Sequence, residues 1–186
     1  SASMSFHTGA TADIEGDVVL RGAAGDVAWL VVWGGDVDIA GNTSATSNAG
    51  TSVVHLSNGG ALTTGSITVA GLESRGDYGS ASIEVLDGGQ LVVTGDVKLA
   101  HEQNSLGMLE VGTPSPFENQ PQATIDGNLW VGWLGSGTAN VYDEASLTVG
   151  HLQGGNNAGS SGSLNVHDTG SVEVIGDATI GTLTPM

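Results

Sequence analysis

Residues Ile83 to Ala100 read IEVLDGGQLVVTGDVKLA, and the fold of the chain follows from the patterning of this stretch. Ile83 and Val85 alternate with Glu84, Leu91 and Val93 with Val92, and Val97 and Leu99 with Lys98. Each triplet has a period of two, as in a strand that turns alternate side chains inward. Asp87-Gly88-Gly89 separates the first two segments and Gly95-Asp96 the last two. Both are read as tight corners that need the positive φ these residues supply. One copy is therefore one three-sided coil. It cannot cover its own apolar row, so another copy has to stack on it.

The pattern recurs about seven times within a single all-β domain spanning 1–186, with coils expected at 11–26, 27–52, 53–82, 83–108, 109–138, 139–163 and 164–181. Ala12, Ile14, Val18 and Leu20, with Gly16-Asp17 between them, give the back half of a first coil after ten residues read as small and polar. In the second coil Trp29 and Val31 take the places of Ile83 and Val85, and Gly41 to Ser52 reads as a polar excursion. Leu56, Val85, Val111, Val141 and Val166 share one core position at spacings of 29, 26, 30 and 25 residues. The variable length must go into projecting loops, mainly after the third strand, and into a Pro-rich loop from Thr113 to Gln122. With strands ~4.8 Å apart, seven coils make a rod roughly 30 Å long.

This order of a short strand, Asp-Gly-Gly, a second strand, Gly-Asp and a third strand closing on Gly or Ala resembles the repeats of bacterial autotransporter passengers and related surface β-solenoid proteins. The resemblance runs from Ala12 to Gly181. It implies a right-handed parallel β-helix (β-solenoid), an extracellular or cell-surface location, and an adhesive or structural role. Passengers are usually far longer and continue into a membrane-embedded barrel, and there this sequence departs from the pattern.

Composition excludes several classes. Three Lys plus Arg against 20 Asp plus Glu leave a formal charge of −17, which repels nucleic acid and anionic membrane surfaces. No apolar run approaches the ~20 residues of a membrane span, so no membrane insertion is expected. There is no Cys, hence no disulfide framework and no thiol chemistry. Four Pro and 31 Gly accompany no capped helical stretch, and Ser1 to Ser5 carry neither the charged nor the apolar region of a signal peptide. The acidity and near lack of Lys suit a secreted protein.

Catalytic chemistry is not expected. A lyase acting on acidic sugars needs Lys or Arg, and Arg21, Arg75 and Lys98 fall on different coils and sides. A glycosidase needs a carboxyl of raised pKa in a cleft, whereas the acids are mostly solitary corner residues. His7, His55, His101, His151 and His167 show no common spacing and read as solvated residues near corners, not as zinc ligands. The Ser residues have no nucleophile-elbow context, so no triad is drawn from them. At the second corner, Asp17, Ser66, Asp96, Asn128 and Asp177 mostly set an acid beside a neutral residue, as like-charge repulsion favours without metal. The nonapeptide calcium motif is missing, no cofactor is expected, and any Ca²⁺ is left to the loops.

Outward positions carry more information. Side one offers Leu30, His55, Glu84, Glu110, Asn140 and Asn165; side three offers Val19, Thr68, Lys98, Trp130 and Thr179. Side two shows Thr63, Val92, Thr124 and Thr148 between Asp38 and Glu173, a β-branched row comparable with ice-binding solenoids. Trp33, Trp130 and Trp133 occupy positions the coil interior does not require. Either a loop folds over them or they form a contact patch for another protein or a glycan. The expectation is an extracellular structural or adhesive module that associates with copies of itself end to end. The alternatives are a carbohydrate-binding or carbohydrate-cleaving β-helix and an ice-binding face.

Overall fold

The alternation seen in the sequence becomes three faces of parallel strands in the computed structural model, which describes residues 1–72, 79–113, 119–155 and 157–181. Arg75, Pro114, Pro116 and the tail Thr182 to Met186 lie outside the described residues. Side one stacks seven strands in chain order: Ala2–His7, Val27–Trp33, Thr51–Ser57, Ser80–Val85, Leu106–Val111, Ser136–Val141 and Ser161–Val166. Side two takes Thr11–Ile14, Asp36–Ile39, Ala61–Thr64, Gln90–Val93 and Ser171–Val174. Side three takes Val18–Gly22, Thr43–Asn48, Ile67–Leu72, Val97–Leu99 and Ala178–Ile180. In the fifth and sixth coils one strand, Gln122–Val131 or Ser146–Gly154, runs through the second corner and serves both sides. All pairing is parallel, each coil on the next, so the protein is a β-solenoid of about seven turns.

Inward residues align in columns that run the length of the stack. Val85, Val111, Val141 and Val166 pair in sequence, as do Leu91, Ala123, Leu147 and Val172. Val85, Val111, Val141, Val93, Val97, Leu99 and Ile125 are wholly buried. Each such side chain gains about 1.5–3 kcal/mol from leaving water, and only a neighbouring coil provides the cover.

Four expectations are corrected. Ala2–His7 is not a polar leader but side one of the first coil, with Met4 and Phe6 facing inward opposite Leu30 and Val32. In the second coil Leu30 and Val32, not Trp29 and Val31, take the places of Ile83 and Val85, because they pair with Val54 and Leu56. The run VAWLVVW is apolar on both faces, so alternation alone could not fix its register. Gly41 to Ser52 is no excursion: Thr43–Asn48 is a strand with Thr43, Ala45 and Ser47 buried. Its polarity is satisfied internally, by Thr43 and Thr64 hydroxyls 3.0 Å apart and by Ser47 Oγ donating to Ser80 O at 3.0 Å.

The corners also depart from expectation. Asp87 and Gly88 do adopt positive φ, as do Asn58 and Gly59 one coil below, but Gly95 and Asp96 do not. Gly95 is required by close approach instead, since a Cβ there would meet the Ser66 hydroxyl and lie 2.9 Å from Gly65 O. Gly127 repeats this, its added Cβ falling 2.6 Å from Gly95 O. The residue after each glycine then reaches the adjoining coil. Asn42 N donates to Asp17 Oδ1 (2.7 Å), Ser66 N to Asn42 Oδ1 (2.9 Å), Asp96 N to Ser66 Oγ (3.1 Å), Asn128 N to Asp96 Oδ1 (2.8 Å) and Asp177 N to His151 Nδ1 (3.0 Å). Asn42 and His151 thus supply the members of this column that the sequence reading lacked.

Val85→Asp places an unpaired carboxylate in the dry interior, at a cost of several kcal/mol. The variant is expected to lose its cooperative thermal transition by circular dichroism, whereas Val92→Asp, on the outer face of the same coil, should melt within a few degrees of the wild type.

Candidate functional site

On side three, Asn128 to Val131 alternates like any other strand, so with Leu129 and Val131 buried Trp130 must point outward. It stands in register between Lys98 and Gln153. Gly132, at φ 76°, turns the chain and brings Trp133 back over the same face. The two indoles meet edge to face with centroids 4.4 Å apart at 89°. Lys98 Nζ lies 5.2 Å from the Trp133 ring centroid, within the range of a cation–π contact, and the His101 ring packs against Trp133 at 6.3 Å. Asn157 donates its side-chain N–H to Trp133 O. All four side chains of the cluster are half-buried.

Two polar atoms in this cluster, Trp130 Nε1 and His101 Nδ1, are buried without a hydrogen-bond partner among the described residues. Burial pushes the neighbouring Asp96 carboxyl up, but hydrogen bonds from the Asn128 backbone and side chain, the Lys98 charge and the nearby Trp130 indole outweigh it and hold the group below the usual carboxylate range. Trp130 Nε1 influences that carboxylate by proximity, without the distance and angle of a made hydrogen bond.

Trp33 does not join the cluster. It sits on side one in the second coil, in register with Ser57, and is 47% exposed. The sequence therefore named two separate aromatic sites. Around the Trp33 site lie residues that sequence reasoning passed over. His55 is not near a corner; it stands mid-strand and outward, with Nδ1 3.0 Å from Glu84 Oε2 and Nε2 3.1 Å from Ser57 Oγ. Trp29 packs edge-on against its ring at 6.4 Å. The signal was present in His55-Leu56-Ser57, which puts His and Ser on one face, and in Glu84 at the matching place one coil on. His167 is likewise stacked, on Tyr142 at 4.7 Å and 11°.

Glu84 and Glu110 are neighbours in adjoining coils and their carboxyls diverge. The His55 hydrogen bond holds Glu84 below the usual range against the opposing effect of burial, with the His55 charge and Ser82 hydroxyl assisting. Burial, and then the Glu84 charge, push Glu110 up; Tyr142 offsets this in part and is itself pushed up by burial and by Glu110. No group of three or more His, Asp or Glu residues capable of holding a metal ion occurs among the described residues. Compared with protein-family models, with curated proteins and with solved structures, the chain gives no match.

The signs of the two shifts set a pH dependence. Glu84, lowered in the fold, stabilises it above the unfolded carboxyl range, and that stability is lost as pH falls through the depressed folded value. Glu110, raised, stabilises only below the unfolded range, and its contribution is lost as pH rises through the raised value. Glu110→Gln is therefore expected to raise the melting temperature at pH 7, with the gain vanishing in acid where Glu110 carries its proton. Thermal melts of both proteins across this range check the sign.

Proposed function

We propose that this protein is a structural or adhesive β-solenoid module of the extracellular surface that stacks end to end with further copies of itself. One observation carries the reading: each coil is joined to the next by parallel strands, so the face of one coil is built to receive another coil of the same kind. The internal joint between coils is the template for such a contact, since parallel strands of one coil pair with those of the next on all three sides. Head-to-tail contact of this kind does not close and so propagates into a filament. A charge of −17 opposes sideways clumping and leaves axial growth as the favoured mode. The acidity and near lack of Lys support the surface location.

Light scattering and electron microscopy decide it. Rods that lengthen with protein concentration at moderate salt are expected. A monodisperse monomer at high concentration overturns the self-association.

A specific observation favours a second reading, that side three receives a glycan. Trp130 and Trp133 offer stacking surface, and the unpartnered Trp130 N–H and His101 Nδ1 offer hydrogen bonds beside the Lys98 charge. On a glycan array Trp130→Ala should weaken any binding about tenfold or more while the melting temperature holds. A variant that loses stability and leaves binding unchanged assigns the cluster to packing alone.

A further inference from the structure

Side one carries a constellation of three side chains joined in the order that nucleophilic catalysis uses. Ser57, His55 and Glu84 form a continuous hydrogen-bonded chain whose atoms are matched in order: hydroxyl to Nε2, Nδ1 to carboxylate. We propose that this chain is an acyl-transfer site, with Ser57 as nucleophile, His55 as general base and Glu84 as the residue that positions the imidazole, acting on carboxylic esters with a small acyl group.

The geometry meets the nucleophile, base and orienting requirements of such a site. A nucleophile must be within hydrogen-bond reach of its base and the base must be held by a third group. The distances are 3.1 Å and 3.0 Å. Glu84 is fixed from its other oxygen by Ser82 Oγ, which donates to Oε1 at 3.2 Å. An ionised Glu84 can only accept, so it takes the proton of Nδ1–H and imposes the tautomer whose Nε2 lone pair faces the Ser57 hydroxyl. The Trp29 edge confines the ring from the adjoining coil. Among the described residues nothing comparable occurs further along these outward columns: Asn165 donates to Asn140, Ser163 to Thr138 and Ser161 to Ser136, each a single pair between adjoining coils.

The reaction balances with water as the only co-reactant. His55 Nε2 takes the Ser57 proton as Oγ bonds to the acyl carbon. The ester C–O bond then breaks, and the leaving alkoxide takes the proton from Nε2. Water, deprotonated in the same way, attacks the acyl-serine; its C–Oγ bond breaks, Ser57 regains the proton, and the carboxylic acid leaves. Substrate size follows from exposure. Ser57 is only 5% exposed, which restricts the acyl half of the substrate to a compact group such as acetyl. Trp33, opposite Ser57 in the register, offers an exposed ring face for the alcohol half of the ester.

The test uses the full chain with a methyl fluorophosphonate, which phosphonylates an activated serine with loss of fluoride, and with p-nitrophenyl acetate. Expected are one adduct by intact mass, mapped by peptide sequencing to Ser57, and a burst of nitrophenol matching one site. His55→Ala should slow labelling about 10²-fold or more. Glu84→Gln should slow it as well, and Glu84→Asp should restore part of the rate, a rescue that a purely structural carboxylate would not produce. Ser57→Ala should abolish labelling with an unchanged melt. If that variant does not fold, the position of the adduct in the wild type still decides. No adduct, an adduct on another serine, or His55→Ala labelling at the wild-type rate overturns the proposal. Filament formation is measured separately and does not bear on it.

Discussion

Everything in this molecule depends on how closely one coil can lie on the next at the second corner. The column Gly16, Gly41, Gly65, Gly95, Gly127, Gly150 and Gly176 runs through all seven coils, and from Gly41 upward an added Cβ would collide with the coil below. Beside it runs the column Asp17, Asn42, Ser66, Asp96, Asn128, His151 and Asp177, most of whose members accept the backbone N–H of the coil above. The corner is where strand pairing is interrupted and N–H groups would otherwise be orphaned. Each of these bonds contributes about 1 kcal/mol net, and more where the acceptor is charged. Leaving the N–H unpaired in a partly buried corner would cost more than the bond gains. Glycine lets the coils approach; the next residue ties them together.

That requirement explains why the column tolerates Asp, Asn, Ser and His but no aliphatic residue. What matters is an acceptor within reach of a backbone N–H about one strand spacing away, ~4.8 Å. Asp96 shows the arrangement most fully, receiving both the backbone and the side-chain N–H of Asn128, and the depressed carboxyl is the electrostatic trace of those bonds. Acids separated by neutral acceptors keep like charges apart while satisfying most of the steps.

The same logic separates what the sequence made legible from what it concealed. Columns of Val and Leu were readable because period-two alternation has one inward solution wherever the outward residue is polar, as at Glu84 and Lys98. The reading failed where that contrast disappears. Val27 to Trp33 is apolar throughout, and its register was set by pairing with Val54 and Leu56, which no local pattern reports. Thr43 to Asn48 failed for the opposite reason: its inward Thr43 and Ser47 are polar and look like loop, yet Thr43 meets the inward Thr64 of the next coil. Ala2–His7 was missed because Ser and Met alternate weakly and only the strand above identifies them as a coil. Among the candidate contact residues, Trp130 and Trp133 were placed on a common face by strand parity plus one turn at Gly132. The His55 chain was passed over although the 29-residue spacing of the repeat sets Glu84 beside His55, because alternation places residues on a face without reporting which side chains on it bond.

Outward side chains are the part of a solenoid left free by these constraints, and parallel stacking gives them a property that an isolated strand lacks. Residues far apart in sequence are held side by side in a flat, rigid array whose spacing is set by backbone hydrogen bonds rather than by side-chain packing. Lys98 beside Trp130, and Glu84 beside His55, are both products of that array. A chain with few cations and 20 acids has little with which to make attractive contacts. The half-buried aromatics on side three and the imidazole chain on side one therefore stand out against an acidic background. Both lie on the outer faces, while their inward neighbours Leu129, Val131, Leu56 and Ile83 fill the core. Groups that the fold places with precision on its outer faces are the ones available for recognition and chemistry.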